Sequence, residues 1–299
     1  MRLYIIGNGF DIYHGIKSKY ADFKDYVENN DKELFNTLEN YFNSDELWSD
    51  FEETLAYINI DTIKDNAENY LVSYGANDWS DSYHHDYQYE IQRVIDAVTV
   101  QLKEHFTNWI LQLTIPKNEK LSLDKKSKHL IFNYTATLEK VYNIDSQNIL
   151  YIHNKAMDSN SILILGHSRA PSEHETLSSN NDEDTDVRVA EGNEILDKYF
   201  ADTYKNTETI IQENQGFFEH LCDVNEIFIL GHSISQVDIS YFQEIKKHVN
   251  KDATWTVSYY GADQKDKNRK RVLDLGVDES KIKMITLDEL NKTVHNMPA

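Results

Sequence analysis

The sequence predicts an α/β fold: a mostly parallel sheet with helices on both faces and two helical insertions. Short, continuously apolar runs rich in Ile, Leu, Val, Phe and Tyr recur along the chain, the pattern of strands buried on both faces. Segments of helical period lie between several of them. One strand comes first, a long helical stretch follows, and then strands return.

The runs at 3–6, 130–132, 149–152, 162–165, 227–230, 255–259 and 283–285 read as strands. Short helices are clearest at 20–29 and 238–249. The longest spans 87–113, where apolar residues from Ile91 to Leu113 recur at three- and four-residue steps and give one stripe. The sheet core is therefore assigned to 1–18 and 116–290. A helical insertion fills 19–115, and a second helical excursion within the core fills 190–221. Two stretches read as exposed loops, "GANDWSDSYHHD" at 75–86 and "PSEHETLSSNNDEDTD" at 171–186. The second is too polar to offset its ordering entropy and reads as a mobile segment.

Composition narrows the function. An apolar share of 40% in 299 residues supports a sizeable core. A formal charge of −21 repels phosphate backbones and anionic lipid, so neither duplex nucleic acid nor a membrane is an expected partner. The single cysteine, Cys222, rules out an internal disulfide, fits a reducing cytoplasm, and reads as a small buried hydrophobe. No leader pattern and no long apolar span is present, so the expected location is cytoplasmic.

In an open parallel sheet, ligands bind beyond the carboxyl ends of the strands. The residues following each run are therefore the candidates. The first run ends in Gly7-Asn8-Gly9-Phe10-Asp11. This is either a tight turn or a place where backbone approaches a ligand and N–H groups receive an anion. After the second run comes "FNYTATLEK". Thr135 there is a helix cap with Glu139 in the first turn, and Asn133 is either a loop amide or a group that holds a substrate amide or ribose. After the third run, His153 is either structural or chemical, and Asn154 can take a left-handed turn.

The pentapeptide "ILGHS" occurs twice, at 164–168 and at 229–233, each time turning on a glycine after an apolar run. The second copy continues as "ISQVDISYF", so Asp238 heads a helix. The turn Gly231-His232-Ser233 could bind a ribose or phosphate, with Ser233 as donor. A serine hydrolase built on this turn is a weaker reading, because the nucleophile-elbow glycine is replaced by Ser235. His84, His85 and Asp86 form the densest group of metal-ligand types, but in an aromatic, acidic loop that reads as solvated. No metal is expected.

Taken together, "LYIIGNGFDIYHGI", "FNYTATLEKVY", "LYIHNKA", "LILGHS" and "FILGHSISQVDISYF" resemble the abortive-infection AbiH family of bacterial phage-defence proteins. The same skeleton is similar to a remote sirtuin-like, Rossmann-like domain, in which Gly-Ile follows the first loop glycine by eight positions, as Gly15-Ile16 follow Gly7 here. The resemblance implies a pocket for NAD. Residue by residue, it implies Asn133 and His153 as the cleaving pair. It implies Gly7, Asn8 and Gly9 around the phosphates, Ser233 on the ribose side, and Asp11, Gly15, Thr135, Gly231 and Asp238 among the binding residues. Thr135 stands where sirtuins carry Asp, Asp11 where they carry Ser, and no four-cysteine zinc site exists, which removes protein deacetylation.

The implied activity is hydrolysis of NAD⁺ to ADP-ribose and nicotinamide by an anti-phage effector. The alternative is a non-catalytic sensor of NAD, ADP-ribose or a related nucleotide. Restraint of a toxic activity is expected from a homo-oligomer or from a lid, with a phage-derived or host protein as trigger.

Overall fold

The apolar runs build one six-stranded sheet from β1 (Arg2–Ile6), β2 (Lys128–Ile131), β3 (Ile149–Tyr151), β4 (Glu226–Leu230), β5 (Thr254–Ser258) and β6 (Ile282–Ile285). The structure, a computed structural model, describes residues 1–77 and 80–295. The strand order is β3-β2-β1-β4-β5-β6, and every pairing is parallel. This is the order of doubly wound nucleotide-binding sheets, with the topological switch between β1 and β4.

Pleating sends Leu3 and Ile5 to one face and Tyr4 and Ile6 to the other. On the first face, Leu130, Ile227 and Ile229 pack with Tyr241, Phe242 and Ile245 of the helix Ile239–His248 and with Val272 of the helix Ala262–Asp274. On the second, Ile131 and Leu230 pack with Phe10 of the helix Asn8–His14 and with Leu138, Val141 and Tyr142 of the helix Thr137–Tyr142. Because both faces are covered, the strands show no polar alternation, which is why they were legible as continuous apolar runs.

The strand expected at 162–165 does not form. Ile162 is exposed, the Ile164 N–H donates to the His153 carbonyl at 3.0 Å, and no ladder grows from that bond. An isolated bridge between His167 and Tyr204 is the nearest β pairing. A four-residue apolar run carries no information about its partner, and here it has none.

The chain divides into two compact units. One comprises Met1–Lys19, Thr107–Ile164 and Thr207–Ala299 and contains the sheet. The other comprises Tyr20–Phe106 and Leu165–Asn206 and is helical. The long 87–113 stripe is a helix in three parts, Asp86–Asp96, a π-helical turn Ala97–Gln101, and Leu102–Gln112, and the division between units falls inside the last. The sequence groups 190–221 as one excursion, but packing separates its helices. Val187–Asp202 belongs to the helical unit, whereas Thr207–Glu213 and Gln215–Glu219 belong with the sheet. Gly192 makes the first association possible, since a Cβ there would lie 2.6 Å from the Tyr87 ring.

The acidic 171–186 stretch is tethered within the helical unit. The Asp197 carboxylate accepts the backbone N–H groups of Leu177 and Ser178 at 2.8 and 2.9 Å, and Asp186 caps the helix Val187–Asp202 while pairing with Arg188 at 2.6 Å. Of the 75–86 loop, residues 78 and 79 lie outside the described residues, and Asp81–His85 forms a 3-10 turn. Cys222 is exposed, against the buried position expected of a lone cysteine.

Candidate functional site

The register aligns Ile6 with Ile131 and Leu230, and Ile131 with Tyr151. One further step of ladder follows, from the Phe132 N–H to the Ile6 carbonyl, from the Ile152 N–H to the Ile131 carbonyl, and from the Gly7 N–H to the Leu230 carbonyl, all at 2.9–3.0 Å. Asn133, His153 and the 231–238 loop therefore leave the sheet at one carboxyl edge.

The first-strand turn is closed by the fourth-strand turn. The Gly7 N–H is bonded to Leu230, and the Gly9 N–H donates to the Gly231 carbonyl at 2.7 Å. A Cβ on Gly7 would lie 2.6 Å from the His232 Cα, and one on Gly9 would lie 2.9 Å from the Gly231 Cα. The glycines thus allow two backbone turns to interlock. Their amides face protein carbonyls, so the phosphate cradle expected of Gly7 and Gly9 has no free donor at either glycine.

The remaining signature residues of 7–16 are wired into the fold. Asn8 and Ser18 exchange hydrogen bonds: Asn8 Nδ2 donates to the Ser18 carbonyl at 2.7 Å, and Ser18 Oγ donates to Asn8 Oδ1 at 2.6 Å. Asp11 is 1% exposed and accepts the Thr135 hydroxyl at 2.5 Å and the Thr137 hydroxyl at 2.8 Å. Burial raises its pKa to about 6, against the pull of Thr135, Thr137 and Asn133 toward the charged form. The Asp11 and Thr135 expected on a ribose are therefore bonded to each other. Thr135 is not the helix cap either, since Ala136 occupies that position and Thr137 opens the helix.

His14 is buried, and its Nδ1 lies 2.7 Å from the Phe10 carbonyl. A carbonyl only accepts, so Nδ1 carries the proton and Nε2 accepts the Tyr142 hydroxyl at 2.6 Å. Gly15, in the left-handed conformation at φ 87, ends the helix Asn8–His14. Seven residues of helix set it about 10 Å along from the Gly7 turn. The sequence reading groups Gly15 with the site; the fold separates it by that helix.

At the ends of the adjacent strands β2 and β3, Asn133 and His153 are both buried, at 6% and 2% exposure. The Asn133 amide is near enough to Asp11 to favour its carboxylate, yet neither Nδ2 nor Oδ1 makes a hydrogen bond of ordinary geometry. Such an amide costs about 1–3 kcal/mol if left unmet. His153 Nε2 lies 3.6 Å from Asp238 Oδ1, and His232 Nε2 lies 3.5 Å from Asp238 Oδ2. The Phe132 ring packs edge-on against both imidazoles, with centroids at 5.3 and 4.3 Å. Asn154 takes the left-handed turn expected of it, at φ 65.

Ser233 is exposed, and its carbonyl accepts Arg271 Nη1 at 2.6 Å. Gly231 has φ 68. Asp238 does stand at the head of a helix, but its carboxylate makes no capping bond and is directed to the two histidines. His232 has no role of its own in the sequence reading. The signal that could have found it is the repeated Gly-His-Ser after a strand, with an acid five residues later.

Among the described residues, no three His, Cys, Asp or Glu side chains are arranged to hold a metal ion, and no helix is long and apolar enough to cross a membrane. Residues 3–259 match the family described as bacteriophage abortive infection AbiH. The chain belongs to the AbiH family. Its role is accordingly in abortive infection by bacteriophage. No curated protein and no solved structure matches the chain. The AbiH-like segments at 3–16, 132–142, 150–156 and 228–242 thus map to one carboxyl edge of the sheet and to the wiring beneath it, whereas the segment at 163–168 does not.

Proposed function

We propose that this AbiH protein hydrolyses the N-glycosidic bond of NAD⁺ at the carboxyl edge of β2 and β3. The observation that carries this reading is the Asn133 carboxamide, buried with both polar atoms unmet, at the end of the strand that neighbours His153. A buried amide in that state gains most from a ligand that supplies both a donor and an acceptor, as a ribose hydroxyl or a carboxamide does.

In the reaction, the bond between ribose C1′ and the nicotinamide nitrogen breaks, and the electron pair returns to the pyridinium ring. Nicotinamide leaves neutral. Water adds to the oxocarbenium-like C1′, and its proton passes to His153 and then to solvent. Asn133 holds the ribose or the water in line. The products are ADP-ribose, nicotinamide and one proton. The pyrophosphate is not assigned to Gly7 and Gly9, whose amides are engaged.

The test is nicotinamide release from NAD⁺ by purified protein, alone and with candidate triggers. Asn133→Ala and His153→Ala are each expected to lower turnover about a hundredfold or more. Thermal unfolding of Asn133→Ala is expected to stay near that of the parent, because the carboxamide makes no hydrogen bond of ordinary geometry. Tight binding of ADP-ribose without turnover by the parent protein would replace the hydrolase with the nucleotide sensor. Absence of both binding and turnover would remove the NAD reading.

A further inference from the structure

The loop 231–238 carries a local cost that its own chain segment does not explain. Ile234, a β-branched residue, sits at φ 56. This left-handed conformation is strained for a residue with a Cβ. Full burial of its side chain in the sheet core offsets that, so the turn is sustained by packing. Asp238 ends the 3-10 turn Gln236–Asp238 at helical backbone angles and runs straight into the helix Ile239–His248, so its carboxylate is not engaged in capping.

The strained turn and Asp238 meet at the same two side chains. The turn at Ile234 brings its N–H to His232 Nδ1 at 2.8 Å. Nδ1 is therefore the acceptor, and neutral His232 carries its proton on Nε2, the atom 3.5 Å from Asp238. The Asp238 carboxylate lies between His232 Nε2 and His153 Nε2, and Ser235 Oγ donates to it at 3.3 Å. His232 is further fixed from behind, since Asn268 Nδ2 donates to its carbonyl at 3.2 Å. The aromatic groups around the histidines are Phe132, Phe242, Tyr134 and Tyr241.

We propose that Asp238 and His232 are positioning residues for His153, with the strained 231–238 loop as the device that presents them. Asp238 draws the Nε2–H of His153 toward itself and leaves Nδ1 as the basic nitrogen. His232, locked by the Ile234 N–H, holds the other carboxylate oxygen and so fixes the carboxylate plane. The assignment rests on the hydrolase reading for its catalytic consequence, though its tautomeric consequence stands without it.

The experiment uses the full-length protein and two variants. His232→Asn keeps an acceptor where Nδ1 stood, so the Ile234 N–H retains its partner while the contact with Asp238 is lost. Asp238→Asn removes the charge at constant shape. Expected first is a change in the ¹⁵N shifts of His153: the parent carries its proton on Nε2, and both variants lose that preference. Expected second is a fall in kcat for NAD⁺ of about a hundredfold in Asp238→Asn and about tenfold in His232→Asn, with KM changed less than threefold. Unchanged His153 shifts in both folded variants would overturn the proposal. If the parent releases no nicotinamide, the hydrolase reading fails, and the shifts alone decide the positioning role. A His153 tautomer that responds to Asp238→Asn but not to His232→Asn would strike out His232.

Discussion

The same five residues, Ile-Leu-Gly-His-Ser, occur twice in this chain and do different work. In the copy at 229–233, the strand β4 ends, Gly231 turns at φ 68, and His232 faces Asp238. In the copy at 164–168, Gly166 keeps ordinary backbone angles and lies so close to Thr203 that a Cβ would fall 2.0 Å from its carbonyl oxygen. The His167 N–H donates to that carbonyl at 3.0 Å, and His167 Nε2 meets the Thr203 hydroxyl at 3.1 Å. The first copy is a clasp inside the helical unit, and the second presents chemistry at the sheet edge. Local sequence sets what a segment can do, and its neighbours choose among the options.

The largest expected effect is at the two glycines. In Gly231→Ala, a Cβ would fall 2.0 Å from the Phe10 nitrogen at a positive φ, so steric overlap and backbone strain combine. The expected loss is about 4 kcal/mol or more, read by chemical denaturation. Gly166→Ala carries the overlap without the strain and should cost less, about 3 kcal/mol. A larger loss at Gly166 than at Gly231 would break the contrast.

Acid separates the copies next. Burial lowers the His167 pKa from the ordinary 6.5 to about 4. Its contribution is therefore complete above pH 6.5 and is lost as pH falls toward 4, on the order of 3 kcal/mol. Buried His129 acts in the same sense. Asp11 acts oppositely. Its pKa is raised from 3.8 to about 6, so its contribution is complete below 3.8 and is lost as pH rises through 6. His167→Ala should then flatten the acid loss between pH 6.5 and 4, and Asp11→Asn should steepen it. Denaturation midpoints at pH 7, 6, 5 and 4 check both, and a steeper slope in His167→Ala would contradict the burial argument.

The smallest stability effect is expected where the functional effect is large. At pH 7, His167→Ala should cost about 2 kcal/mol through a cavity and a lost buried hydrogen bond, with turnover unchanged. His232→Asn should move the unfolding midpoint little while lowering turnover. Equal losses of stability in the two would erase the distinction between clasp and presenter.

Much of this architecture was legible because buried parallel strands have an unmistakable apolar texture, and six of the seven proposed runs are strands. The run at 162–165 failed for want of a partner. The insertion boundaries were blurred because the stripe from Ile91 to Leu113 continues across the division between the units. At the site, Asn133 and His153 stand after strands, where the sequence places them. Asp11, Thr135 and Gly15 share the sequence signature of binding residues, yet Asp11 and Thr135 bond each other and Gly15 ends a helix, because wiring and binding residues look alike when both lie near strand ends. Only a partner's identity, such as the Thr135 hydroxyl on Asp11, separates them.

The interlock of the first and fourth turns also bears on synthesis. The Gly9 amide finds its acceptor on residue 231, and His153 finds Asp238 later still. A nascent chain leaving the ribosome from its amino end holds an unfinished first turn until residue 231 has been made. A fragment that stops short of β4 has neither the closed turn nor the His153–Asp238 pair. Translation interrupted before residue 238 therefore yields a chain without the candidate site.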